Sequence, residues 1–305
     1  MCLPAGSTFY YLMLRGATTI EDHTRIAVFG TLTVTATIGT LVFILIKHPW
    51  NAKQYRHTQK INQMPVGAKA ALAATIRLGC KKGMLLLIPY FFYIGFTSTF
   101  WASINGTALG YTRAFGDVRE SLVGLNGVFQ GVGEIKGGVF PGIFGAWSKK
   151  KGRDVFLVAG FIVHLTAFYL IFLNMPPLSS LQMTSEMSYI GPSPYIAMLC
   201  TALIGFGDAI WNNQLMAYLG SVYPFQTVAA FGVYQFMTAT GNVIAAGYST
   251  VLALPFQLLI MVVTGIAALA GYCWLERKTF PKKGFSNGGQ KGMEMSHSLR
   301  RSETG

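Results

Sequence analysis

Seven apolar stretches dominate this chain, and each is close to the length of a helix that crosses a lipid bilayer. They lie at about residues 26–46, 84–104, 121–147, 155–173, 195–215, 228–247 and 251–274. A helix needs roughly 20 apolar residues to cross about 30 Å of hydrocarbon. Helices also satisfy their own backbone hydrogen bonds, which lipid cannot do. The sequence therefore predicts an all-α, polytopic membrane helix bundle with seven spans.

The composition excludes the other broad classes of protein. Of the 305 residues, 52% are apolar and only 11% are charged, against about 25% charged in an ordinary soluble domain. A soluble globule of this composition would leave large apolar surface exposed. The four cysteines are too few and too scattered for a disulfide framework. A content of 22 Phe, 14 Tyr and 5 Trp excludes a disordered chain.

The basic residues are distributed as in a membrane protein, although the net charge of +13 could suggest a nucleic-acid partner. Nineteen of the 24 Lys and Arg residues lie in loop 47–83, loop 148–154 and the tail after residue 275. Only four lie in the connections that alternate with these. Cytoplasmic loops carry such an excess of Lys and Arg. We therefore expect the lipid bilayer as partner, no nucleic acid, an outside or lumenal N-terminus and a cytoplasmic C-terminus.

These spans divide the chain into five segments. Residues 1–25 form an outer-side segment with the remnant of a preceding helix, 26–46 a transmembrane helix, 47–83 a basic cytoplasmic loop, 84–274 a six-helix unit, and 275–305 a disordered basic tail. Within the basic loop, residues 66–82 have the amphipathic pattern of an interfacial helix.

Polar side chains inside the spans are the candidate functional residues, because acids and amides are costly in lipid. They are Gln130 and Glu134 in the third span, Asp208 and Asn212 in the fifth, and Gln235, Thr238 and Asn242 in the sixth. Spacings of three and four place the members of each span on one helix face. The pattern predicts either a cavity for an ion or substrate, or an interhelical hydrogen-bond network worth about 1 kcal/mol per bond.

Two basic residues inside the spans are not included among these candidate functional residues. Lys136 is two residues from Glu134 and is expected to point away from it. His164, alone in the fourth span, is expected to be a packing histidine with its hydrogen bonds satisfied.

Six glycines of the third span recur at spacings of three, four and seven residues. They are Gly124, Gly127, Gly131, Gly138, Gly142 and Gly145. At about 100° per residue they form one narrow stripe, of the kind that lets a neighbouring helix approach closely. The stripe predicts helix packing, with a sliding surface for conformational change as the alternative.

The sequence gives no sign of an enzyme. It contains no H-E-x-x-H, G-x-S-x-G or G-x-x-x-x-G-K-[ST] motif, and no paired C-x-x-C. We therefore expect no metal and no cofactor. The sequon at Asn105, on the predicted outer side, is a candidate glycosylation site.

Four segments, at 82–87, 121–138, 164–176 and 205–214, resemble the uncoordinated-93 family. The most specific run is His-Leu-Thr-Ala-Phe-Tyr-Leu-Ile-Phe-Leu-Asn-Met-Pro at 164–176. This family is a branch of the major facilitator superfamily, and the resemblance is closest to its major-facilitator-domain-containing members. It runs from about residue 10 to residue 276, most of the chain.

The resemblance implies a fold of twelve spans in two six-helix halves. The seven predicted spans then correspond to the last helix of the first half and the whole second half, as in an N-terminally truncated member. Such a chain is expected not to transport by itself, because alternating access needs two opposing repeats.

The resemblance also implies two functions that stay open at this point. One is a carrier of a small solute or ion. The other is a regulatory or trafficking subunit that binds an ion channel, a receptor or another membrane protein, since the founding member is described as an ion-channel regulatory protein. A seven-span receptor is the third alternative, but the chain has no D-R-Y and no N-P-x-x-Y motif.

Overall fold

The computed structural model describes residues 22–45, 67–144 and 152–279, and these residues are almost entirely helical. No strand occurs among them, apart from a single isolated bridge between Thr112 and Thr184. Four helices are long and apolar enough to cross a membrane: Lys82–Tyr111, Asp154–Asn174, Pro194–Val222 and Leu254–Thr279. The prediction of an all-helical membrane protein is therefore confirmed.

The helices coincide with the predicted spans to within a few residues. They are α1 Asp22–Leu45, α2 Ala68–Gly79, α3 Lys82–Thr99, α4 Asn105–Tyr111, α5 Arg119–Ile143, α6 Asp154–Asn174, α7 Pro194–Val222, α8 Thr227–Ser249 and α9 Leu254–Thr279. A π-helical turn at Phe100–Ile104 joins α3 to α4, and a 3₁₀ turn at Arg113–Val118 precedes α5. Helices α1, α5 and α8 are not among the four named above as long and apolar enough to cross a membrane.

Proline and glycine set several of the helix ends. α6 ends at Asn174, just before the Pro176-Pro177 pair, because proline cannot continue a helix and restricts the residue before it. α7 begins at Pro194, whose fixed φ suits the first helical turn. Gly152, two residues before α6, has a φ of 100°, which glycine adopts without steric cost.

The helices pack in the order α5, α7, α6, α9, α3 and α8, each against the next. The core lies where α3, α7 and α9 meet, around the rings of Tyr90, Trp211 and Tyr272, which contact one another at tilted angles. The Tyr90 hydroxyl donates to the backbone oxygen of Trp211 at 2.7 Å. Helix α2, at the predicted interfacial position, packs against α8 and buries Leu78.

Helices α5 and α7 are in direct backbone contact through glycines. A Cβ atom built on Gly133 would lie 2.1 Å from the Ala202 oxygen, and one on Gly137 would lie 2.2 Å from the Phe206 oxygen. From the other side, a Cβ on Gly205 would lie 2.2 Å from the Gln130 oxygen. Only glycine permits so close an approach at these three positions.

The predicted glycine stripe lies on a different face of α5 from these contacts. Gly131 and Gly138 line a cleft, and a Cβ on Gly142 would meet no atom within 4 Å. Gly124 is buried and Gly127 is half-buried. The centre of the stripe is about a third of a turn from the face that meets α7, at about 100° per residue. Gly145 lies outside the described residues.

Polar contacts between helix ends show which helices meet at each end of the bundle. At one end Arg153 Nη1 donates to Ser221 Oγ at 3.0 Å, the Arg153 backbone nitrogen donates to Glu276 Oε1 at 3.3 Å, and Arg277 Nε lies 3.9 Å from Asp154 Oδ2. The start of α6 and the ends of α7 and α9 therefore meet there. At the opposite end, the Ser193 backbone nitrogen donates to Asn174 Oδ1 at 2.8 Å. The end of α6 therefore meets the start of α7, and the two helices run antiparallel.

Parts of the predicted segments lie outside the described residues. These are residues 1–21 of the outer-side segment, 46–66 of the basic loop, 145–151, and the tail 280–305.

Candidate functional site

A cleft of about 600 Å³ lies between helices α3, α5, α7 and α8. Six of the seven polar residues predicted from the sequence line it: Glu134, Asp208, Asn212, Gln235, Thr238 and Asn242. The fold thus brings together side chains from three helices that are up to 108 positions apart in the sequence, between Glu134 and Asn242. Asn105 and the glycine stripe aside, the predicted site residues meet at one place.

Gln130, the seventh residue, lies behind the cleft wall and connects the two acids. Its side chain is fully buried. Its Nε2 atom is 3.4 Å from Glu134 Oε1 and 3.4 Å from Asp208 Oδ2, while its Oε1 atom has no hydrogen-bond partner among the described residues. One amide nitrogen therefore donates to both carboxylates.

His164 contacts the other side of Asp208, with Nε2 3.6 Å from Asp208 Oδ1. The same nitrogen lies 3.2 Å from the Ile204 carbonyl oxygen, and Nδ1 lies 2.6 Å from the Tyr93 hydroxyl. A carbonyl oxygen can only accept, so Nε2 carries a hydrogen. The buried Tyr93 hydroxyl has no other acceptor among the described residues, so it donates to Nδ1. This assignment gives a neutral imidazole whose two nitrogens are both satisfied.

A glycine on α7 makes room for that imidazole ring. A Cβ on Gly207 would lie 2.3 Å from both Cδ2 and Nε2 of His164. Any side chain at position 207 would therefore displace the ring from Asp208 and from the Ile204 carbonyl.

The amides of α7 and α8 are held by hydrogen bonds within α7 and to neighbouring helices. Asn212 Nδ2 donates to the backbone oxygen of Asp208 at 3.0 Å, and its Oδ1 accepts from the Tyr234 hydroxyl at 3.3 Å. Asn242 Oδ1 accepts from the Thr99 hydroxyl at 3.2 Å. Gln235 lies exposed in the cleft.

The cleft has an acidic lining. Two carboxylates line it, from Glu134 and Asp208, and the lining includes no Lys, Arg or His. Lys136 is exposed on α5 and is not part of the lining. Its side chain lies on a different face of the helix from Glu134, as the two-residue spacing requires.

Helix α3 contributes residues that the sequence reasoning missed. Thr97 and Ser98 of α3 and Trp101 of the following π-helical turn line the cleft. Tyr93 of α3 lies behind it against His164. The Thr-Ser-Thr run at 97–99, in an otherwise apolar span, was the available signal. The pairing of His164 with Asp208 had no local signal, because it depends on which helices become neighbours.

Asn105, the predicted glycosylation site, belongs to a second polar network and is buried. Its side chain is 2% exposed, and Nδ2 donates to Asn126 Oδ1 at 2.8 Å and to Thr201 Oγ1 at 3.1 Å. Asn126 Nδ2 in turn donates to the Trp101 backbone oxygen at 3.0 Å. A glycan on Asn105 is incompatible with this structure, because it would break the network and require the side chain to reach solvent.

No group of three or more His, Cys, Asp or Glu side chains that could hold a metal occurs within 22–45, 67–144 and 152–279. The cleft, with two carboxylates and several amides, is the best candidate site in this part of the chain.

Comparisons with known proteins give related membrane proteins. A family model described as "Ion channel regulatory protein UNC-93" matches residues 1–273. The UNC93-like protein MFSD11 of Xenopus tropicalis is 34% identical over 287 residues, covering 89% of this chain and 64% of the relative. Protein unc-93 homolog A of Bos taurus is 28% identical over 205 residues, covering 67% and 40%. Protein unc-93 homolog B1 of Mus musculus is 28% identical over 227 residues, covering 73% and 35%.

The chain thus spans 64% of the length of its frog relative. No solved structure gives a significant match.

Proposed function

The chain belongs to the UNC-93 family, and we propose that it forms the ligand-binding wall of a membrane carrier of the facilitator type. The cleft between α3, α5, α7 and α8 binds a small solute or ion. In this proposal seven helices cross the membrane. Four are the long apolar helices Lys82–Tyr111, Asp154–Asn174, Pro194–Val222 and Leu254–Thr279, and the other three are α1, α5 and α8. The last six form the second half of a facilitator fold, with the basic end in the cytoplasm.

The placement of two acids carries the proposal. Glu134 and Asp208 lie near the middle of α5 (Arg119–Ile143) and α7 (Pro194–Val222), and both line the cleft. A charged side chain at the bilayer centre costs at least about 2.5 kcal/mol. Such residues face a water-filled cavity or a partner, and mark substrate or ion pathways. A structural role alone would be met by neutral amides at lower cost.

The charge asymmetry supports the orientation. Arg153, Arg277 and Lys278 lie at the end of the bundle where α6 begins and α9 ends. In helices α3 to α9 and their described connections, only Arg113 and Arg119 mark the opposite end. An excess of Lys and Arg identifies the cytoplasmic side.

Flux in proteoliposomes tests the carrier proposal. Uptake is measured for one solute of each charge class, namely choline, acetate, alanine and glucose. The 305-residue chain is compared with a chimera that adds the residues of the frog relative lying outside the match. We expect flux of one class by the chimera and none by the chain alone, because alternating access needs two opposing repeats. Asp208→Asn should abolish that flux, and the exposed Glu186→Gln should not. No flux of any class by the chimera would refute the carrier proposal.

A regulatory role is the second candidate, favoured by the description of the matching family as an ion channel regulatory protein. The two roles depend on different surfaces: a carrier depends on the cleft, and a regulator depends on its outer faces. A regulator would act through its outer faces, where Phe236 and Val243 of α8 are 67% and 72% exposed. Currents of a co-expressed ion channel would then change with Phe236→Ser but not with Glu134→Gln. The reverse pattern would exclude this role for the outer face of α8.

A further inference from the structure

We propose that a groove between helix α2 and the start of α8 binds the phosphate group of an anionic phospholipid. The groove lies outside the cleft, and this inference does not depend on the carrier proposal. Three observations carry it: a cationic lining, backbone donors at the start of α8, and exposed apolar side chains on the same surface.

The groove has a cationic lining. Its volume is about 190 Å³, and Arg77 and Lys81 line it together with residues 226–229 at the start of α8. No acidic side chain of the described residues lines it, and the sequence holds no Asp or Glu between Asp22 and Asp117. Basic pockets beside membrane helices bind lipid headgroups, and Arg offers two parallel N–H donors to phosphate oxygens.

The start of α8 adds backbone donors to this lining. The first hydrogen bond of the helix runs from the Ala230 nitrogen to the Gln226 oxygen at 2.9 Å, so the N–H groups of residues 227–229 have no acceptor within the helix. Within the described part of the chain, the Gln226 side chain makes no capping hydrogen bond. The Thr227 hydroxyl donates to the Tyr223 backbone oxygen at 3.0 Å instead. These N–H groups favour an anion beside the two cations.

Exposed apolar side chains on the same surface favour a lipid over a free phosphate. Helix α2 buries Leu78 against α8, but it leaves Leu72 and Ile76 62% and 60% exposed. Phe225 and Val228 line the groove and are also exposed. A helix with an apolar face and basic residues lies in the membrane interface. Acyl chains would cover these apolar side chains beside a bound headgroup.

The groove lies at the end of the bundle that holds Arg153 and Arg277. A Cβ on Gly83, at the start of α3, would lie 3.2 Å from the Tyr223 hydroxyl at the end of α7 and 4.0 Å from Leu275 Cδ1 of α9. The junction of α2 and α3 therefore meets the ends of α7 and α9. This is the end assigned above to the cytoplasm, and the cytoplasmic leaflet carries the anionic lipids.

Native mass spectrometry of the 305-residue chain in detergent tests this inference, because it counts bound lipids and gives a Kd for each. The probes are dioleoyl phosphatidylglycerol and dioleoyl phosphatidylcholine, which share their acyl chains and differ in net charge. We expect one phosphatidylglycerol to bind about fivefold more tightly than phosphatidylcholine, and Arg77→Gln to raise its Kd about fivefold. Arg77→Lys should have a smaller effect, because lysine keeps the charge and loses the planar fork.

Lys69→Gln is the matched control. Lys69 is exposed on the same helix and does not line the groove, so Lys69→Gln removes an equal charge and should leave the Kd unchanged. Arg77 is exposed, so its substitution should leave the helix packing and the melting temperature unchanged. An equal rise of the Kd in Lys69→Gln and Arg77→Gln would overturn the site in favour of diffuse electrostatic attraction. Equal binding of the two lipids would also overturn it.

Glycerol 3-phosphate separates a lipid from a soluble phosphate. We expect no saturable binding of it at concentrations at which phosphatidylglycerol fills the groove. Binding of glycerol 3-phosphate with an equal or lower Kd, lost in Arg77→Gln, would overturn the assignment to a lipid. Flux by the chimera tests the carrier proposal separately, because Arg77 and Lys81 are not part of the cleft lining.

Discussion

Substitution of Gly205 by alanine should separate helices α5 and α7. The added Cβ would lie 2.2 Å from the Gln130 oxygen, 3.0 Å from the Gln130 carbonyl carbon and 3.1 Å from the Glu134 nitrogen. All three atoms belong to the backbone, so no side-chain rotation relieves the clash. The helices must move apart by about 1 Å to restore contact distances, and overpacking of this kind typically costs about 1–3 kcal/mol.

The same helix pair provides a matched control. A Cβ on Gly142 would meet no atom within 4 Å, and alanine is favoured over glycine in a helix by up to about 1 kcal/mol. We therefore expect Gly142→Ala to keep or raise the melting temperature. Gly205→Ala should lower it by about 2–12 °C, at roughly 2–4 °C per kcal/mol.

The assay is thermal unfolding of the purified chain in detergent, followed by tryptophan fluorescence and by size-exclusion recovery. Gly133→Ala is a second test, because its Cβ would lie 2.1 Å from the Ala202 oxygen. A loss of stability in Gly142→Ala that equals or exceeds the loss in Gly205→Ala would refute the packing described for α5 and α7. It would favour the glycine stripe predicted from the sequence.

Three further predictions follow from single contacts. Gly207→Ala should displace the His164 ring, because the added Cβ would lie 2.3 Å from its Cδ2 and Nε2. NMR of the histidine side chains should show altered nitrogen shifts, and Gly220→Ala in the same helix is the control that should show none. Asn105→Ala should destabilise the chain by about 1–3 kcal/mol, because it removes donors from a buried network. Glycosidase treatment should not change the electrophoretic mobility of the wild-type chain. A mobility shift assigned to Asn105 would contradict its burial. Cysteines at the exposed positions Glu186 and Lys278 should react with an impermeant maleimide from opposite sides of the membrane; reaction from one side would exclude the antiparallel arrangement proposed for the spans.

The positions of the helices could be predicted because they depend on local sequence. Runs of apolar residues define α6 and α9, and the predicted spans 155–173 and 251–274 correspond to Asp154–Asn174 and Leu254–Thr279. The acids Glu134 and Asp208 could also be selected from the sequence, since a charge in an apolar helix is costly wherever the helix lies.

The contacts between helices could not be predicted, because they depend on which elements become neighbours. The glycine spacing in α5 identified a smooth face, yet Gly131 and Gly138 of that face line the cleft. Gly133 and Gly137 meet α7 instead, and their partner Gly205 is distant in the sequence. The same limit applies to His164, which acquires Asp208 and Tyr93 as partners only when α6 packs against α7 and α3.

The burial of the sequon at Asn105 also depends on contacts between helices. The sequon motif is present in the sequence, and such motifs are expected in surface loops. In the structure the π-helical turn Phe100–Ile104 joins α3 to α4, so the chain stays helical through this position. Asn126 and Thr201 then surround the side chain. A motif for a surface loop is therefore buried by its tertiary contacts.

The accessibility of two adjacent positions on α8 to water tests the central claim, a polar ligand cleft inside the membrane. Gln235 lines the cleft, whereas its neighbour Phe236 is 67% exposed and absent from the lining. Each is replaced by cysteine in a background with Cys2, Cys80 and Cys273 changed to serine, where only the buried Cys200 of the native cysteines remains. Each variant is treated with an impermeant methanethiosulfonate. The account predicts rapid modification of the cysteine at 235 and protection of the cysteine at 236 by lipid. Equal protection of both, or faster modification at 236, would contradict it.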